Sequence, residues 1–145
     1  MRSIAAPWRV RFSPRTPLAI NGAALLASER NRRGVPASEL AGKTGAVVGD
    51  LRAVLDELAN AGLVEPNAEA EGCYRWRRDA ARVSLYEIAS AVGERFDAKC
   101  TCKLSAASPG RCKGCPFKAA RRELQAEVIE LFKAKKLDEL IPVPA

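Results

Sequence analysis

The chain has 145 residues, 48% of them apolar, with eight aromatic residues (two Trp, two Tyr, four Phe), five cysteines, no histidine and a formal charge of +7. That length admits one compact unit with an arm or helix attached and excludes two large domains, while the scarcity of aromatics and the abundance of alanine favour thin, closely packed helices over a thick sheet core. No apolar run approaches the roughly 20 residues of a bilayer span, and arginines and a proline stand where a secretory signal would place its apolar segment, so the chain reads as cytoplasmic, with no membrane partner.

The charge is unevenly spread. Arg2, Arg9, Arg11, Arg15, Arg30, Arg32 and Arg33 face Glu29 alone in residues 1–33, whereas Lys43 and Arg52 face Glu39, Asp50, Asp56, Glu57 and Glu65 in residues 34–66. A basic balance suits a nucleic-acid partner, because Lys and Arg that neutralise phosphates release counterions. Residues 1–15 therefore form a basic segment that reads equally as a minor-groove or backbone arm and as a disordered tail.

Pro7, Pro14 and Pro17 keep the first seventeen residues from being one helix. A first helix starts near Pro17, runs through LAINGAALLASER and ends before the turn from Asn31 to Gly34. In VPASELAGKTGAVVGDLRAVLDELANAGLVEP, Pro36 suits a first helical turn and Leu40 and Ala41 supply a short apolar face. The stretch from Gly42 to Gly45 then ends that helix. Val47, Leu51, Val54, Leu55 and Leu58 recur at the three- and four-residue intervals of a second helix, which stops at Gly62. Two short helices about a glycine-containing turn make a helix-turn-helix, whose second member can enter a DNA major groove.

Leu63 to Glu65 and Tyr74 to Trp76 suit two short strands around the polar NAEAEGC, a hairpin of the kind that forms the wing of a winged helix. Ser84, with Glu87 three residues on, has the spacing of a capping box and opens a helix over VSLYEIASAVGERF. The segment from Lys99 to Phe117, KCTCKLSAASPGRCKGCPF, has no period and reads as a loop. Pro116 then opens a long amphipathic helix to about Lys136, with Phe117, Leu124, Val128, Leu131 and Phe132 along one stripe, a packing face for its own domain or for a second subunit.

Cys100, Cys102, Cys112 and Cys115 fall within sixteen positions in the pattern C-x-C-x9-C-x2-C. In a reducing compartment, clustered cysteines serve metal or redox chemistry more often than structural disulfides. Two close pairs joined by a flexible loop allow four soft thiolates to converge, and the spacing alone leaves zinc and an iron-sulfur cluster close to even. The helix start at Pro116, with its unpaired N–H groups, and the neighbouring Lys99, Lys103, Arg111 and Lys113 favour anionic sulfur. Cys73, 27 positions before the loop, reads as a small apolar filler of the wing.

On the helix-turn-helix, Thr44, Val47, Val48 and Arg52 are the candidates for the groove or its phosphate edges, Arg52 for a guanine or a phosphate and the valines for thymine methyl groups. On the wing, Arg75, Arg77 and Arg78 beside Trp76 suit phosphates and the minor groove. The local acidity also admits a winged module that packs on protein.

The order of these pieces, ASELAGKTGAVVGDLRAVLDELANAGLV, then GCYRW, VSLYEIASAVGE, a cysteine loop and a helix ending KKLDELI, resembles the IscR/NsrR family of winged-helix transcriptional regulators from Thr16 onward. The resemblance implies a mainly α fold: a basic segment at 1–15, a winged helix-turn-helix domain at 16–96, a cysteine-rich sensor loop at 97–115, and a C-terminal dimerisation helix and tail at 116–145. It implies a homodimer that binds double-stranded DNA, is no enzyme, and senses redox, nitric oxide or iron status through a 2Fe-2S or 4Fe-4S cluster. Members commonly add to three cysteines an acidic residue near the chain start or a loop histidine. This chain has no histidine and aligns Pro17 with the acidic position, so its four cysteines would close the shell themselves. A structural zinc site in an interaction module, a cluster-free thiol switch, and a thiol oxidoreductase built on Cys112 and Cys115 are the alternatives, the last lacking the strand pattern of a thioredoxin-like fold.

Overall fold

The computed structural model describes residues 12–29, 34–68, 72–96 and 115–141. Helix α1 (Arg15–Ser28) starts two residues earlier than the sequence reading placed it. Pro17 sits inside its first turn, where a missing N–H leaves no bond unmade. Ala19, Ala23 and Leu26 form its buried stripe. Strand β1 (Val35–Pro36) leads directly into α2 (Ala37–Thr44), so Pro36 caps α2 in extended backbone and lies just outside its first turn.

Helix α2 ends at Gly45, whose left-handed φ of 73° lets the N–H groups of both Gly45 and Ala46 reach the carbonyl of Ala41. A side chain at that φ would be strained, which is why glycine stops the helix here. Helix α3 (Val48–Asn60) follows α2 after three residues and buries Leu51, Val54, Leu55 and Leu58. Val47 departs from the expected periodic face: it is the N-cap, 68% exposed, one residue ahead of the helix.

The wing consists of β2 (Val64–Pro66) and β3 (Cys73–Trp76). The first strand is shifted by one residue from expectation, leaving Leu63 buried in the turn before β2, while the second is as expected with Cys73 added at its start. A third strand was not anticipated. β1 pairs antiparallel with β3, Val35 opposite Tyr74, giving the order β1-β3-β2. Two residues ending in proline carry no alternation from which a strand can be read.

A single 3-10 turn at Ala80–Arg82 precedes α4 (Leu85–Ala91). Ser84 is the N-cap as its spacing implied, its Oγ accepting from the Glu87 N–H at 3.2 Å. Helix α5 (Pro116–Ala134) has proline at its start and no fully buried residue along its 19 positions. It ends two residues before Lys136, because the chain turns back to the core: Leu85 N–H donates to the Lys135 carbonyl, Leu137 N–H donates to the Val83 carbonyl, and Leu137 is fully buried. One apolar core joins α1, α2, α3, the sheet, α4 and Leu137. No helix of the described residues is long and apolar enough to cross a membrane.

Candidate functional site: nucleic-acid interface and cysteine loop

The turn between α2 and α3 brings Thr44, Val47 and Val48 together. Thr44 Oγ1 donates to its own helix, to the Leu40 carbonyl at 2.9 Å, so toward any further group the oxygen serves as an acceptor. Val47 and Val48 form an exposed apolar step, 68% and 36% exposed, at the start of α3. No side chain caps that start, leaving first-turn N–H groups and the positive end of the helix dipole for an external anion.

Along α3, Gly49, Arg52, Ala53 and Asp56 make a continuous exposed stripe. Arg52 lies beside the wing: a Cβ on Gly72 (φ 80°) would stand 3.3 Å from Arg52 Nη2. Asp56 Oδ1 accepts from Tyr74 Oη at 2.9 Å. The Tyr74 side chain is nearly buried, and its hydroxyl is held above the usual tyrosine value first by that burial and then by the hydrogen bond and charge of Asp56. The sequence reading missed this pair. The signal available was the alternation in β3, with Tyr74 turned inward and Arg75 outward, but an inward tyrosine does not name its acceptor.

The three wing arginines have different neighbours. Arg75 Nη2 pairs with Glu65 Oε2 across the β2–β3 ladder at 2.9 Å, and Arg78 Nη1 lies 3.6 Å from Glu87 Oε2 on α4. Arg77 is exposed just beyond β3, with its backbone tied to the Leu63 carbonyl. The acidity noted in the sequence is thus partly spent on these arginines, on the Tyr74 hydroxyl and on Arg15, which pairs with Glu57.

Of the four clustered cysteines, Cys100, Cys102 and Cys112 lie outside the described residues. Cys115 is the exposed N-cap of α5, immediately before Pro116, and no side chain caps that helix start. Among the described residues no group of three or more Cys, Asp or Glu is placed to hold a metal ion. Pro17, which the resemblance sets against an acidic position, is exposed near the start of α1. Cys73 is half-buried in β3 opposite Pro36, in keeping with a filling role.

The far end of α5 is fixed by an aromatic cluster that sequence reasoning also missed. The Phe132 ring stacks on Phe12 and meets Phe96 edge-on, both with centroids 5.2 Å apart. Phe96 stacks on Tyr86, and Lys133 Nζ lies 5.0 Å above the Tyr86 ring. Glu94 accepts the Ser13 N–H at 3.0 Å. These contacts join the entry to α1, the end of α4 and the last turn of α5, segments too distant in sequence for any local pattern to pair them.

The fold is shared with solved structures. The oxidised form of Staphylococcus aureus CymR superposes with a TM-score of 0.73 at 16% identity, covering 94% of this chain and 99% of that one. CymR (YrzC), the global cysteine regulator of B. subtilis, gives 0.72 at 14% over 94% and 100%, and T. potens IscR gives 0.69 at 16% over 93% and 88%. Identities this low speak to the fold. No curated protein matches the chain. The profile of Rrf2, described as an iron-dependent transcriptional regulator, matches residues 12–142. A match of that extent, on a winged helix-turn-helix with its cysteine segment ahead of the last helix, means that this chain belongs to the Rrf2 family of DNA-binding transcriptional regulators, of the IscR/NsrR type, and is not an enzyme.

Proposed function

We propose that the protein is a cytoplasmic homodimer that binds operator DNA and senses redox, nitric oxide or iron status through an iron-sulfur cluster held by Cys100, Cys102, Cys112 and Cys115. The observation that carries this reading is the position of Cys115, exposed at the uncapped start of the helix that bears the solvent-facing apolar stripe. A thiolate there meets the positive end of the helix dipole, and four cysteines with no acid or histidine make a soft, anionic donor set suited to iron-sulfur or to zinc. When bound, the cluster would supply a reactive centre whose loss changes the charge and shape of the loop; the chain's part is to hold it at the start of α5.

In this reading residues 1–15 are the basic segment, 16–96 the DNA-binding domain, 97–115 the sensor and 116–145 the dimer helix and tail. Phe117, Leu124 and Leu131 of α5 would pack on their counterparts in the second subunit. Thr44, Val47, Val48 and Arg52 would meet the major groove or its phosphates, with Arg75, Arg77 and Arg78 on the flanking backbone or minor groove. Two subunits would then present their α3 helices to a two-fold operator about one DNA turn apart. Signal transfer is a population shift: the cluster-bound and cluster-free loops favour different placements of the helices beside it, and DNA prefers one.

Protein prepared without oxygen should be brown, contain iron and acid-labile sulfide, and lose its visible absorption on chelation or nitric oxide exposure. Colourless protein with stoichiometric zinc would replace the cluster with a structural zinc site. Likeness to a cysteine regulator, and to a relative captured in an oxidised form, favours a second reading, a cluster-free thiol switch. That reading expects colourless, metal-free protein whose DNA affinity changes reversibly with a thiol reductant. Operator binding should weaken steeply with salt in either case.

A further inference from the structure

On the exposed stripe of α3, Arg52 and Asp56 stand one helical turn apart. Opposite charges at that spacing attract one another on a helix surface, and an arginine closed onto its own aspartate is lost to a phosphate or base. The wing intervenes. Tyr74 lies in the central strand of the sheet, opposite Val35 on one side and Pro66 on the other. It is 7% exposed, so its hydroxyl is a fixed donor, and it donates to Asp56 Oδ1 at 2.9 Å. The Arg52 guanidinium lies against the first wing residue after the hairpin tip, where any side chain at Gly72 would meet Nη2 at 3.3 Å. The same Gly72 accepts the Ala37 N–H at 2.9 Å, fastening the wing to the first residue of α2.

The geometry points to Tyr74 and Asp56 as a positioning pair for Arg52: the tyrosine hydroxyl holds the Asp56 carboxylate toward the wing, keeps it from closing on Arg52, and leaves the guanidinium directed to duplex DNA. This rests on the DNA-binding reading above and adds to it residues with no place among the expected contacts. Tyr74 touches no DNA in this account; it acts through Asp56.

The test is affinity of the full-length protein for a labelled duplex selected from a random pool by the wild-type chain. Y74F keeps the ring and removes only the hydroxyl. It should weaken binding by about fivefold or more, the scale of one arginine contact, with a shallower salt dependence. D56N/Y74F, in which no carboxylate remains to capture Arg52, should recover affinity to within about twofold of wild type, on the same scale. In an R52Q background, Y74F should make no further difference. A merely structural tyrosine would give neither the rescue nor the dependence on Arg52. The inference is overturned if Y74F binds like wild type, if D56N/Y74F stays as weak as Y74F, or if Y74F melts at the assay temperature, since the retained ring would then show the hydroxyl to be needed for the fold itself. Wild-type protein that selects no duplex at low salt would instead overturn the DNA-binding reading, and this inference with it, before any variant is compared.

Discussion

The winged unit and helix α5 contain similar proportions of leucine and alanine and end in opposite conditions. In the winged unit every periodic apolar residue of α3 is enclosed, Leu51, Leu55 and Leu58 at 0% exposure, and the sheet fastens β1, α2 and α3 into one body. In α5 no residue is fully buried, and Phe117, Leu124 and Leu131 stand 50%, 42% and 55% exposed. Its last turn is secured by Phe132 and by the return of Leu137 to the core. Those three exposed residues repeat every seven positions, the spacing of a helix seam that meets another helix. The contrast teaches that one part of the chain is completed by its own residues and that the other leaves an apolar face open, the face that the proposed function gives to a second subunit.

The largest expected effect tests that contrast at its centre. Leu55→Ala should destabilise the subunit by about 2–5 kcal/mol, because it opens a cavity in an enclosed site. Leu124→Ala should cost the isolated subunit no more than about 0.5 kcal/mol, as for surface positions generally, and should instead weaken self-association. Denaturant unfolding and sedimentation equilibrium of the two variants read the two quantities separately. Equal losses of unfolding free energy would show that α5 is packed within the subunit, and the contrast would collapse.

What the sequence disclosed follows the same division. The α2–turn–α3 unit was legible because Leu51, Val54, Leu55 and Leu58 repeat at one period and Gly45 marks the break. Ser84 was legible because capping is local, its acceptor three residues from its donor. Strand β1 was hidden because two residues have no period, and its partner Tyr74 is 39 positions away from Val35 (74 minus 35). The Phe12–Phe132–Phe96–Tyr86 cluster was hidden for the same reason, since aromatic rings from three segments meet only once the chain has folded. Within the interface, residue types were legible but their engagements were not. Nothing in the spacing of Arg75 or Arg78 told that Glu65 and Glu87 would stand beside them, and nothing in Val47 told that it would cap α3 instead of lining its buried face.

An intermediate effect sharpens the account of the secured end of α5. Ser84 caps α4 and also bridges to Lys136, just beyond α5. Ser84→Ala removes an acceptor for the Glu87 N–H and should cost about 1 kcal/mol. Because the backbone bridge remains, the loss should be confined to α4. Hydrogen exchange would show Ile88 and Ala89 opening faster, with the amides of Leu51 to Leu58 unchanged. If the α5 amides near Lys133 open in step with α4, the two helices form one cooperative unit and the boundary between the enclosed and the exposed parts lies nearer to Cys115.

The smallest effect concerns the wing, where the enclosed unit carries an ion pair across its β2–β3 ladder. Arg75 lowers the Glu65 carboxyl below its ordinary value of 4.5, first through the hydrogen bond and then through its charge. The native chain therefore takes up this proton less readily than the unfolded chain. The stabilisation is present above pH 4.5 and is lost as the pH falls through the lowered native value. Glu65→Gln should lower the denaturation midpoint slightly at neutral pH, with the gap to wild type closing in strong acid and narrowing in salt, as an exposed pair requires. In the proposed DNA-binding role, the same substitution also removes a carboxylate that would compete with phosphate for Arg75. Duplex affinity should therefore rise while stability falls, two changes of opposite sign from one lost charge. A variant that loses both would show that Glu65 holds the wing in shape for DNA, and would move Arg75 from the contact surface into the support of the sheet.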